Sequence, residues 1–361
     1  MLGIYLINLS GAFLLSSLAE HGAIYDENNK KKINSFFILL IIFFVVILGF
    51  RYLNYLHSDE WAYRQSTEEN FSLLLILRPE GLSYFLQWFS CNVANHLGGV
   101  FAYGQFYILS TSIIIVVLFL KSMWDYSRNF TFSVFLFVSM WFAFTSMNII
   151  RQFVAVSIIF YGLRFVKKEE FKKFFICVIL AVGFHTSALI MLPLYFIIKS
   201  KKTSYWAVIL IAASFLLIGN IGDLSEVLLG DTKYTSFINS TSYGVNPLRI
   251  LSMAIPAIAI LLFKNKVIEM NKDCLVESNL MIFLLITCIF SFQNVYINRI
   301  IYYFSIGALI VFPEIPNLLD VKYKSVIKLI MIILFFLFGM HQANISVEYH
   351  NFLFENVIGV L

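Results

Sequence analysis

Hydrophobic residues in this chain fall in long, nearly unbroken runs, separated by short polar stretches rich in lysine. Runs of roughly 17 to 25 apolar residues match the length a helix needs to cross a bilayer. A transmembrane barrel would show short alternating segments instead. The pattern predicts about eleven membrane segments, at residues 1–19, 34–50, 99–120, 130–147, 149–166, 171–198, 204–220, 247–263, 279–296, 298–312 and 326–345. The first run lacks a positive start and a small-residue cleavage site, so it reads as a helix rather than a removed signal. The segment 171–198 breaks at Gly183-Phe184-His185, which predicts a re-entrant passage; irregular backbone at membrane depth is tolerated only beside protein or a wet cavity. With no repeat, soluble segment or low-complexity linker in view, the expectation is a single all-α polytopic membrane domain over residues 1–361.

Two polar stretches are long enough to be loops with structure of their own. Within residues 51–98, Leu82, Phe85, Leu86, Phe89, Val93 and Leu97 share one helical face, opposite Ser83, Gln87, Ser90 and Asn95. That pattern predicts an interfacial helix lying on the leaflet, with Tyr84 and Trp88 at headgroup depth. The second loop, 221–246, is small and polar.

Composition agrees with a membrane class. Hydrophobic residues make up 60% of the chain and charged residues 13%, against about 25% charged in soluble domains. The four cysteines, Cys91, Cys177, Cys274 and Cys288, form no metal or disulfide pattern and read as small apolar residues. The net charge of +5 reflects positive inner loops and carries no nucleic-acid signal.

Charge also sets orientation. Placing Arg51 outside, with 171–198 entering and leaving on one side, puts 19 of the 26 basic residues in cytoplasmic loops, 17 of them lysines. The outer side then keeps Arg51, Arg64, Arg78, Arg151, Lys233, Arg249 and Arg299, and the C-terminal residues 346–361 also lie outside. Positive-inside bias does not separate lysine from arginine. An arginine-rich outer face therefore suggests guanidinium chemistry, the planar two-point recognition of phosphate or carboxylate that a lysine cannot give. Arginines near helix ends also snorkel with no further role, and a histidine beside a glycine in an apolar run often only packs.

Several signals occur in a fixed order: Arg51, Asp59 and Tyr63; Pro79-Glu80-Gly81; Arg151-Gln152 opening a span; Phe184-His185 in the next apolar run; then Arg249 and Arg299, with Tyr302-Tyr303-Phe304 following. In this order the chain resembles the EpsG/Wzy family of bacterial polysaccharide polymerases, over most of its length. The resemblance implies a multi-pass protein of the bacterial cytoplasmic membrane, similar to GT-C-like lipid-dependent glycosyltransferases, with its active site facing the periplasm or cell exterior. It implies that a glycan on undecaprenyl pyrophosphate is passed to the non-reducing-end sugar of another lipid-linked repeat unit, building O-antigen, capsule or exopolysaccharide. Donor and acceptor are both undecaprenyl-pyrophosphate-linked oligosaccharides. A chain-length regulator and a flippase are the implied protein partners, and no metal, nucleotide or other cofactor is implied.

Such a reaction needs cations for the departing pyrophosphate and a base for the acceptor hydroxyl. Arg51, Arg151, Arg249 and Arg299, at outer ends of predicted spans, are the expected pyrophosphate ligands. His185, Asp59, Glu60 and Glu80 are the candidate bases. His185 leads because an ordinary imidazole titrates near neutrality, and Asp59 is the second catalytic candidate. Glu80, Gln152 and Tyr63 are candidate sugar ligands. A flippase for the same lipid-linked oligosaccharide is the alternative, although a transporter commonly shows paired broken helices in matching halves and only one broken span is visible here.

Overall fold

Asparagines start several of the helices. Asn34 precedes α2 (Ser35–Gly49) and its side chain accepts the Phe37 N–H at 2.9 Å; Asn129 does the same for Phe132 at 3.2 Å. Each side chain satisfies an amide that the first helical turn leaves without a partner. The structure, a computed structural model, describes residues 2–28, 31–53, 80–97, 104–200, 209, 247–291, 295–346 and 349–351. Contacts divide the chain into two compact units. One comprises Met1–Phe165, Glu170–Leu192 and Met331–Leu361, the other Val166–Glu169 and Pro193–Ile330.

In the first unit, α1 (Leu2–His21) packs on α2 and on the helix that follows Asn129. The strand β1 (Arg51–Leu53) follows α2, then come α3 (Gly81–Leu97), α4 (Gln105–Tyr126), α5 (Phe130–Ser139), α6 (Phe142–Asn148), α7 (Ile150–Lys167) and α8 (Phe171–Val182). Near the chain's end β2 (Tyr349–Asn351) pairs antiparallel with β1, Arg51 opposite Asn351, which sets the C-terminal strand beside Arg51. Aromatic rings fill the centre: Phe119 meets Phe137 and Phe160 at centroid distances of 5.0 and 5.3 Å. Large apolar side chains such as Phe13, Leu14, Ile38 and Ile42 remain exposed. On a helical chain of this composition that is a lipid-facing surface.

Two of the lysine-bearing loops are bonded to the connection between α4 and α5. Lys31 Nζ donates to the Ser127 carbonyl at 2.9 Å. Both oxygens of Glu20 accept at the start of α5, from Phe130 N–H at 2.7 Å and Thr131 N–H at 2.9 Å. Arg164 reaches Asp125 at 3.2 Å and lies over the Tyr161 ring. These contacts gather Glu20, Lys31, Asp125, Ser127 and Arg164 at one end of the first unit.

In the second unit the elements are α9 (Met191–Ile198, in this unit from Pro193), α10 (Pro247–Leu262), α11 (Lys264–Met270), α12 (Leu275–Ser291), α13 (Val295–Ser305), α14 (Ala308–Val311) and α15 (Val321–Ile345, in this unit up to Ile330). The helix α12 packs against both α10 and α13. A buried ion pair, Lys167 to Glu277 at 2.6 Å, lies within this unit, since Lys167 belongs to its segment Val166–Glu169. The Asn279 amide donates to the carbonyls of Ile198 and Ser200 at 2.6 and 3.0 Å. Breaking a pair so buried would leave a charge without its counterion.

The architecture is helical and polytopic, and some expectations change in detail. Five described helices are long and apolar enough to cross a membrane, or up to seven if each bent pair counts as one span. Eleven segments are therefore not shown. The expected span 130–147 is realised as α5 and α6 with a 46° bend at Met140-Trp141, where Trp141 takes φ 71° and stacks on Phe144 at 4.3 Å. The expected span at 34–50 is a shorter helix of 15 residues, and that at 204–220 lies outside the described residues apart from Ile209.

The break in 171–198 falls at Gly183–His185, followed by a 3-10 turn over Thr186–Ile190. The helix α3 forms as expected, but its polar side does not face water. Ser83 and Ser90 are buried, with Ser83 Oγ 2.9 Å from Tyr107 Oη on α4, while Tyr84, Phe85 and Phe89 are exposed. Against lipid the stable arrangement is apolar outward, and Ser83 pairs its hydroxyl inside.

Candidate functional site

The first unit gathers expected site residues where α3 begins, α7 begins and α8 ends. After Val182 the chain leaves the helix, with His185 in extended conformation (φ −154°, ψ 122°) at the head of the 3-10 turn. A helix start leaves amide donors open, and His185 satisfies one with its own ring: Nδ1 accepts the Ser187 N–H at 3.3 Å and lies 2.7 Å from Ser187 Oγ. That bond chooses the tautomer. With Nδ1 accepting, a neutral imidazole carries its proton on Nε2.

The other half of the break is met by Glu80. Its Oε1 accepts the Thr186 N–H at 3.2 Å and lies 3.4 Å from the Thr186 hydroxyl, and its Oε2 accepts from Arg151 Nη1 at 2.7 Å. Backbone bonds close the same corner, from Glu80 N–H to the Val182 carbonyl at 3.3 Å and from Ser83 N–H to the Gly183 carbonyl at 3.1 Å. Gly183 permits the approach: a Cβ there would lie 2.6 Å from Leu82 Cδ1, closer than carbon atoms can sit. One corner therefore holds Arg151 and His185 with a carboxylate between them. The Arg151 side chain keeps 31% exposure. Gln152, next in the chain, is buried at 2%.

Arg51 is placed differently from the expectation. It is 1% exposed, and its guanidinium donates to the Leu48 carbonyl, to Ser112 Oγ at 3.1 Å and to the Met147 carbonyl at 2.8 Å. Leu48 and Met147 lie in the last turns of α2 and α6, where carbonyls lack helical partners and carry partial negative charge. The arginine ties two helix ends together and is sealed from a lipid headgroup.

In the second unit, Arg249 stands in the first turn of α10 and donates from Nη2 to Tyr302 Oη, its guanidinium carbon 5.7 Å from that ring's centroid. Arg299 is exposed and precedes Tyr302 by three residues on α13, which places both on one side of that helix. In this unit Arg249 is tied to α13 through Tyr302. Tyr302 holds Arg249 without competing as an anion.

Asp59, Glu60 and Tyr63 lie outside the described residues. Thr186 and Ser187 escaped the sequence reading, although a Thr-Ser pair just after a helix break signals amides that need partners. Tyr302 was visible only as part of an aromatic triplet.

Compared with known proteins, the chain matches the model of the EpsG family over residues 34–353. No curated protein and no solved structure matches it.

Proposed function

Because the chain belongs to the EpsG family, that of Wzy/EpsG-type polysaccharide polymerases, we propose that this membrane protein polymerises undecaprenyl-pyrophosphate-linked repeat units at the outer face of the bacterial cytoplasmic membrane. The acceptor is the non-reducing-end sugar of an incoming lipid-linked unit. Its hydroxyl attacks the anomeric carbon of the growing glycan, the bond from that carbon to pyrophosphate breaks, and undecaprenyl pyrophosphate leaves. The framework is that of a GT-C-like lipid-dependent glycosyltransferase.

The observation that carries this reading is the corner at Glu80, where an accessible, carboxylate-held guanidinium shares a helix break with a histidine. Arg151 stabilises the charge that develops on the departing pyrophosphate, a role that positioned cations fill without metal. Arg249 and Arg299 serve the pyrophosphates of donor and acceptor, and Arg51 is assigned to holding α2 and α6. With its proton on Nε2, His185 donates a hydrogen bond to the sugar–phosphate oxygens as they gain charge. Asp59 then takes the proton of the acceptor hydroxyl, and Tyr63 contributes to the sugar subsite, whereas Gln152, as deeply buried as Arg51, is not assigned to it.

The test uses membrane vesicles carrying the protein, supplied with a synthetic polyprenyl-pyrophosphate-linked repeat unit. Each linkage made releases one polyprenyl pyrophosphate, so release in step with glycan growth supports polymerisation. Movement of the substrate between leaflets with no release would replace this reading with a flippase.

A further inference from the structure

Glu80 takes φ 63°, in the left-handed region where glycine, asparagine and aspartate sit with little penalty and a longer side chain is disfavoured. A shorter residue would suit that backbone better. It would not reach what Glu80 reaches, since one oxygen takes Arg151 Nη1 at 2.7 Å and the other takes the N–H and hydroxyl of Thr186. Strained conformations persist where the surroundings over-determine them. Here the backbone bonds to Val182 and Gly183 supply that constraint. The Glu80 side chain is 18% exposed, against 31% for Arg151, so the arginine is fixed along one edge without being sealed off.

Resting on the polymerase reading, we propose that Glu80 is a positioning residue, which sets the Arg151 guanidinium and the His185-bearing break in register for the departing pyrophosphate, rather than a sugar ligand or a base. Its carboxylate oxygens are committed to protein donors from two other elements, α7 and the turn after α8. A carboxylate so engaged orients its neighbours. An error of about 1 Å in such a placement costs roughly a hundredfold in rate.

The deciding variant is Glu80→Asn in the full-length protein reconstituted in lipid. Asparagine fits φ 63°, so the chain folds, yet its amide is too short to span to Arg151. The expected result is a fall in kcat of about a hundredfold with little change in KM for the lipid-linked repeat unit. Inhibition by added undecaprenyl pyrophosphate weakens in parallel with Arg151→Lys, and Glu80→Gln falls between wild type and Glu80→Asn. A raised KM with product inhibition unchanged would make Glu80 a sugar ligand and overturn the proposal. A lowered melting temperature with normal activity per folded molecule would reduce Glu80 to a structural part. If wild-type protein makes no polymer at all, the polymerase reading fails separately, and binding of a fluorescent polyprenyl pyrophosphate decides for Glu80. Weaker binding by Glu80→Asn sustains the positioning role, and equal binding ends it.

Discussion

Arg151→Lys and Arg51→Met should fail in opposite ways, and the structure sets both magnitudes. Lysine at 151 keeps the charge but loses the planar fork. The ion pair it replaces, Arg151 to Glu80 at 2.7 Å, has side chains 31% and 18% exposed, and a pair that wet contributes at most about 1 kcal/mol to folding. Stability should therefore hardly move. Loss of a positioned donor to developing charge costs about 10²–10³ in rate, roughly 2.7–4 kcal/mol of transition-state stabilisation. Arg51 is 1% exposed, and its guanidinium serves the Leu48 and Met147 carbonyls together with Ser112. Methionine there leaves two buried carbonyls unsatisfied at about 1–3 kcal/mol each, so folding should suffer while surviving molecules stay active. The assay reads folded fraction by size exclusion in detergent, thermal stability, and polymer made per folded molecule. Near-normal polymer from Arg151→Lys would refute the pyrophosphate assignment. A well-folded, inactive Arg51→Met would return Arg51 to the site.

Three further predictions separate the remaining roles. His185→Asn should fold, because asparagine can accept the Ser187 N–H as an N-cap, yet make no polymer. His185→Gln should recover part of the activity by supplying an N–H in place of Nε2. Two equally inactive variants would refute the donor role and make His185 the base. Gly183→Ala drives a methyl into Leu82, which should cost about 1–3 kcal/mol of stability and most of the activity, with recovery on adding Leu82→Ala. A cysteine placed at Ser240 should react with an impermeant maleimide on intact cells; reaction only after permeabilisation would overturn the assigned orientation.

What the sequence made legible follows from which physical signals are local. The break at Gly183-Phe184-His185 was readable because glycine and histidine interrupt an apolar run, and the breaks of a membrane helix are its polar events. The partner of Arg151 was not, since Glu80 lies 71 positions away and nothing in the spacing joins them. Arg51 was misplaced for a related reason. An arginine after an apolar run looks interfacial, and the acceptors that bury it are backbone carbonyls, which every residue possesses. The inward serines of α3 show a different limit. Amphipathicity fixes which residues share a face, but in lipid the polar face can be the one turned towards protein. Helices as uniformly apolar as α2 give no periodicity from which to choose a buried side. The bend at Trp141 is likewise unmarked by any glycine or proline.

The most direct measurement is polymer formation by the purified protein alone. The chain would be reconstituted in liposomes with a single lipid-linked repeat unit, without nucleotide sugar or added metal, and the products resolved by size. The account predicts a ladder of longer lipid-linked glycans that disappears with Arg151→Lys while the protein stays folded. A ladder indifferent to Arg151, or no ladder with correctly folded protein and its native repeat unit, would contradict it.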